Sequence, residues 1–130
     1  MSFDLTTKQL DLKARARDLA AGIIANNAAE VDKSEQYPWD NVKALKEAGF
    51  MGMTIPTELG GPGLNFLDAN LVVEEMASYC GPTGRIAVEA NMGAISAVVH
   101  YGTETQKRLA ADLVLDGDKP AICITEPEAG

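Results

Sequence analysis

The sequence predicts an all-α helical bundle over residues 1–118, followed over 119–130 by the start of a β domain. Three observations lead there. Apolar residues recur at helical spacing through most of the chain. Prolines, glycines and cap residues punctuate that pattern at short intervals. Near the C-terminal end a brief β-branched run, Ala121 to Thr125, replaces it. A strand there has no partner in what precedes it, so it implies a sheet completed beyond residue 130 or on another chain.

Taken in order, the first helix is expected from Asp4 to about Ala29, with Leu12, Ala16, Leu19 and Ile23 on one apolar stripe and Lys13, Arg15 and Arg17 mostly facing elsewhere. The segment DKSEQY breaks the pattern. Pro38 sits just inside a second helix, where Trp39, Val42, Leu45 and Ala48 recur at every third position and Gly49 stops the run. MGMTIP, residues 51–56, reads as a brief extended stretch, because the residue before Pro56 is pushed out of the helical region. Met51 and Met53 within it read as gap-fillers of a core. TELGGPGLN is a loop by its glycines and proline. A third helix begins with Asn65 as N-cap and presents Phe66, Ala69, Val73, Met76 and Cys80. GPTG, residues 81–84, reads as a turn. The fourth helix, residues 85–101, is small or apolar nearly all round, the pattern of a helix that is buried or lines a cavity. Thr103 and Gln106 form a capping box for a fifth helix that Gly117 stops.

Composition narrows the function classes. A chain 46% hydrophobic and 23% charged can bury a core and is not disordered. Its net charge of −8 repels phosphate backbones and argues against a nucleic-acid partner. Cys80 and Cys123 lie in apolar contexts and read as buried, reduced thiols. A single histidine, His100, with no paired Cys/His spacing argues against a zinc site, and its place near a helix end suits the helix dipole. The N-terminus lacks a signal peptide's apolar segment, and no apolar run approaches the roughly 18 residues of a membrane span. The expected location is the cytoplasm.

Three stretches are candidates for chemistry. LGGPGL lacks the G-x-G-x-x-G spacing and a surrounding βαβ unit, so it reads as a plain connecting loop. Arg85 and Glu89 stand one helical turn apart. They form either a solvated ion pair contributing roughly a few tenths of a kcal/mol, or a cation at a pocket wall suited to an anionic ligand group. CITEPEAG, residues 123–130, leaves a strand and turns sharply. Its hydroxyl and turn N–H groups can bind a planar heteroaromatic ring; a capped turn without ligand is the alternative.

CITEPEAG also resembles the first signature of the acyl-CoA dehydrogenase family, which usually continues with Ser or Thr and Asp. ELGGPGL at 58–64, VEANMGA at 88–94, GTETQK at 102–107 and the approach DGDKPAICITEP match that family in the same order. The resemblance covers essentially the whole chain. It implies a fold of N-terminal helical domain, middle β domain and C-terminal four-helix bundle, of which these residues are the first part. It implies FAD as cofactor, with the Thr125 hydroxyl near the reactive flavin nitrogen, Ile122 and Ile124 contacting the ring, and Gly130 opening the following turn. The stretch around Glu89 resembles the helix that lines the family's acyl pocket, so Arg85, Glu89 and Met92 are the expected substrate-binding residues.

In that family a glutamate of the C-terminal bundle removes the α-proton of an acyl-CoA thioester, the β-hydride passes to the flavin, and an electron-transfer flavoprotein reoxidises it. No residue here corresponds to that base. No catalytic residue is therefore assigned, Glu126 included, and these residues alone are expected to be inactive. The family is usually a homo-tetramer. Fatty-acyl members keep the Arg85 region neutral, whereas members acting on anionic acyl tails, such as glutaryl-CoA dehydrogenase, carry an arginine at about this point. QYPWDNVKALKEAGFMGM, GRIAVEANMGAIS and AADLVLDGDKPAICI resemble more closely the 3-sulfinopropanoyl-CoA desulfinase-like members, which release sulfite and bind the sulfinate through an arginine. The resemblance thus implies a flavoenzyme acting on a short acyl-CoA with an anionic tail, by dehydrogenation or by desulfination. The alternative from another class is a non-catalytic helical oligomerisation or binding module.

Overall fold

A computed structural model describes residues 4–118 and 120–129. Helices α1 (Thr7–Leu19), α2 (Ala25–Ser34), α3 (Trp39–Glu47), α4 (Phe66–Tyr79), α5 (Gly81–Asn91), α6 (Ala94–Tyr101) and α7 (Glu104–Leu115) follow one another. A π-turn at Ala20–Ile24 joins α1 to α2, and a 3₁₀ turn at Thr57–Leu59 precedes α4.

Thr6, not Asp4, opens α1. Its hydroxyl accepts the Gln9 N–H, while the Gln9 side chain accepts the Thr6 N–H at 3.0 Å. The π-turn adds a residue to the winding, and Gly22 leaves helical geometry there (φ −88°, ψ −106°). The apolar stripe therefore runs Ala16, Ala20, Ile24, all fully buried, and Ile23, expected inside, is 42% exposed. The helix also continues five residues beyond its expected end and stops at Glu35, which is left-handed (φ 54°).

The basic residues of α1 do more than face solvent. Arg17 donates to both oxygens of the buried Glu75 on α4, at 3.0 and 3.2 Å, and Lys13 lies 3.7 Å from the same carboxylate. Arg15 donates to the Ala48 carbonyl at 2.8 Å and covers the Phe50 ring.

Val42 and Leu45 of α3 are buried as expected, but Trp39 is half exposed, its ring edge-on to Tyr37 at 4.7 Å. Residues 51–55 are a tight turn and not an extended stretch. Gly52 takes φ 69°, which lets the Ile55 N–H return to the Gly52 carbonyl at 3.1 Å. Met51, Met53 and Ile55 all plug the core.

Asn65 and Asp68 cap α4 reciprocally. Because α4 packs between α1 and α5, its buried face is wider than one stripe: Leu71 and Val72 join Ala69 and Met76, while Phe66 is half exposed and Val73 only partly covered. GPTG is the first turn of α5, not a free turn. Pro82 is tolerated there because its missing N–H would have had no helical partner. The expected single helix over 85–101 is two, broken at Met92–Gly93, where Gly93 takes φ −82°, ψ −108°. Thr103 and Gln106 cap α7, and Gly117 (φ 86°) follows it.

Among the described residues no strand forms. Residues 121–125 are exposed and lack a ladder partner, so the β propensity of the run has nothing to act on. Glu126 and Ala129 exchange backbone hydrogen bonds around Pro127-Glu128, which is the expected sharp turn. Cys80 is buried, but Cys123 is exposed, contrary to expectation, because it rides on this tail. The core gathers Ile24, Leu45, Phe50, Met53, Ile55 and Met76, each fully buried and each contributing about 1.5–3 kcal/mol of hydrophobic stabilisation. No helix of the described residues is long and apolar enough to cross a membrane.

Candidate functional site

The site is built on α5, and three features hold that helix. Gly84 faces α4 so closely that a Cβ there would come within 2.7 Å of Ala77 Cα; only glycine lets the two helices meet at this depth. Thr83, fully buried, donates to Cys80 Sγ at 3.1 Å and accepts from Asn41 Nδ2 at 2.8 Å, while Asn41 accepts from Asn27 at 2.8 Å. This chain of hydrogen bonds ties the start of α5 to α3 and α2. At the far end Asn91, also fully buried, accepts the Met53 N–H at 2.6 Å and donates to the Phe50 and Ala87 carbonyls at 2.8 Å each. The backbone carbonyl of Asn91 accepts the Thr54 hydroxyl.

Between these anchors stands Arg85. Its side chain is 66% exposed and ion-pairs with Glu89, whose side chain is 9% exposed. Arg85 borders an open groove of about 480 Å³ whose other wall is the α2–α3 connection, Glu35 to Pro38. Tyr37 forms part of that wall, and burial, with the charge of Asp118, holds its hydroxyl above its ordinary pKa. The guanidinium has five N–H donors, more than one carboxylate uses, so a second anion can share it.

The structure thus brings Arg85 and Glu89 together. Met92 lies at the end of α5, half-buried against the core cluster. Ile122, Ile124 and Thr125 stand on the exposed tail, Ile124 at 76% exposure. Gly130 lies outside the described residues. Pro120 and Ala121 border a separate crevice of about 190 Å³ between α6 and α7, lined by Ile95, Val98, Leu113 and Val114. His100 stands in the last turn of α6, with its Nδ1 2.8 Å from the Ser96 carbonyl.

The polar anchors Asn41, Thr83 and Asn91 were not legible as such in the sequence. The available signal was a polar side chain within the apolar surroundings of the α5 region, which a stripe-based reading passes over.

Residues 6–118 match the acyl-CoA dehydrogenase, N-terminal domain, family. The chain belongs to the acyl-CoA dehydrogenase family. Within it, the chain is 62% identical over 128 residues to a 3-sulfinopropanoyl-CoA desulfinase of Variovorax paradoxus, covering 98% of this chain and 32% of that protein. It is 35% identical over 131 residues to a short-chain specific acyl-CoA dehydrogenase of Clostridium acetobutylicum, covering all of this chain and 35% of that one. Among solved structures, butyryl-CoA dehydrogenase from Megasphaera elsdenii superposes with a TM-score of 0.83 at 28% identity, over all of this chain and 35% of that one. The chain therefore spans about a third of the length of the family members it matches.

Proposed function

We propose that this chain is the helical substrate-side part of a flavoenzyme that releases sulfite from a short acyl-CoA thioester bearing a sulfinate, with Arg85 binding the anionic tail. The observation that carries the reading is Arg85 itself: a cation at the rim of a groove, on a helix anchored at both ends. The 62% identity to a desulfinase, against 35% to a short-chain dehydrogenase, favours carbon–sulfur cleavage over dehydrogenation.

In this reading Arg85 offers its donors to the sulfinate oxygens and sets which carbon faces the reacting centre, while the neighbouring α5 side chains Glu89 and Met92 line its approach. Thr125, Ile122 and Ile124 fit the edge of an FAD isoalloxazine in kind: one hydroxyl donor and two apolar side chains are presented on an exposed segment, with Gly130 five residues beyond Thr125 in the chain. FAD would supply the redox-active ring when bound. Cleavage breaks the C–S bond: its electron pair stays on carbon and takes up a proton, and the sulfur departs as sulfur dioxide, which adds water to become sulfite, so no net oxidation is required. A homo-tetrameric, cytoplasmic enzyme completes the proposal. Dehydrogenation of the same class of substrate is the second reading, and only that reading calls for an electron-transfer flavoprotein.

The test uses the full-length protein with 3-sulfinopropanoyl-CoA and, separately, a neutral acyl-CoA. Sulfite release without flavin bleaching supports the proposal. Bleaching on the neutral acyl-CoA, with no sulfite from the first, supports dehydrogenation. A colourless protein that gains no bound-flavin absorption on adding FAD refutes both and favours a non-catalytic module. Arg85→Ala should abolish turnover of the sulfinate while sparing binding of the neutral thioester.

A further inference from the structure

The Arg85–Glu89 pair is not the solvated surface pair that its spacing alone describes. One member is buried, and its two oxygens have different partners. Glu89 Oε1 meets the guanidinium. Oε2 accepts the N–H of Ala94, the first residue of α6, at 3.0 Å. The first N–H groups of a helix have no partner within it, and a carboxylate there satisfies one while meeting the positive end of the helix dipole. Gly93 makes the room, since a Cβ at that position would overlap Oε2. Arginine, carboxylate and glycine interlock at the break between α5 and α6.

We infer that Glu89 is a positioning and specificity-setting residue for Arg85: it holds the guanidinium over the groove and cancels its net charge. The inference rests on the reading that Arg85 takes an anionic acyl tail. A neutralised guanidinium selects by hydrogen-bond geometry rather than by bulk attraction, so the site takes a forked, singly charged group such as a sulfinate or carboxylate and discriminates against a dianion. Glu89 touches no reacting atom in this scheme and acts through Arg85.

The two halves of the role predict changes of opposite sign. Glu89→Gln keeps an acceptor for the Ala94 N–H but removes the charge, leaving Arg85 a bare cation. Gly93→Ala keeps the charge but crowds Oε2 off its partner, loosening the guanidinium. In the full-length holoenzyme, dissociation constants would be measured for butanoyl-CoA and succinyl-CoA, which share a four-carbon chain and differ in terminal charge. Glu89→Gln should raise the preference for succinyl-CoA about 3- to 10-fold, the size expected of one charge acting over roughly 6–7 Å at a solvent-exposed site. That gain should vanish in the Arg85→Met background. Gly93→Ala should lower the preference about 3-fold, and this variant decides the matter if Glu89→Gln does not fold. If Arg85→Met reduces the preference but neither Glu89→Gln nor Gly93→Ala changes it, the inference is overturned and the Arg85 reading stands. If Arg85→Met leaves the preference unchanged, both fall.

Discussion

Replacing Asn91 with leucine tests whether one side chain seats the 50–55 turn against α5. Leucine has nearly the shape of asparagine but no polar atoms. The substitution removes the acceptor of the Met53 N–H (2.6 Å) and the donor to the Phe50 carbonyl (2.8 Å). Both backbone groups belong to buried residues, so water does not replace what is lost. Each orphaned group costs about 1–3 kcal/mol, a gross loss of about 2–6 kcal/mol. The added apolar burial offsets about 1 kcal/mol of that. The net loss, about 1–5 kcal/mol, is a large share of the roughly 5–15 kcal/mol that stabilises a domain. It would lower the melting temperature by about 3–5 °C per kcal/mol at this chain length. Urea unfolding followed by circular dichroism should show a lower midpoint with an unchanged slope. A loss well under 1 kcal/mol would show that the turn holds its own backbone groups and that Asn91 is not its anchor.

Folding holds the Glu75 carboxyl below its ordinary range, chiefly because Arg17 hydrogen-bonds to it, with burial opposing and the charges of Arg17 and Lys13 assisting. The folded state thus binds fewer protons than the unfolded one. The stability from this pair is complete above the unfolded value near 4.5 and is lost as pH falls through the lower folded value. Arg17→Met should flatten that acid limb in midpoint-against-pH measurements; an unchanged limb contradicts the assignment. Asn65→Ala and Thr103→Ala each remove a reciprocal helix cap and should cost about 1 kcal/mol in urea unfolding, additively, because the caps are on separate helices. Gly61→Ala should be severe: its Cβ would overlap the Ile55 carbonyl, so at least about 2 kcal/mol is expected, and a neutral result would show that the 55–61 backbone moves freely.

The sequence alone determined the helical class, the N-cap at Asn65, the capping box at Thr103, the stop at Gly49 and the core roles of Met51 and Met53. These are local: a cap or a glycine stop acts within one turn, so its signal lies in adjacent residues. The tertiary structure decided the rest. The stripe moved from Ile23 to Ile24 because a π-turn intervenes, and no residue pattern marks that insertion. Helix α5 takes in GPTG because Gly84 docks on Ala77, a contact between helices. The predicted strand did not form because pairing requires a second chain segment, and the described residues supply none. Arg85 and Glu89 were legible as a pair from their spacing, but spacing is silent on burial. That Glu89 is covered and turns its second oxygen to Ala94 depends on where α6 starts, and that is set by how the helices pack.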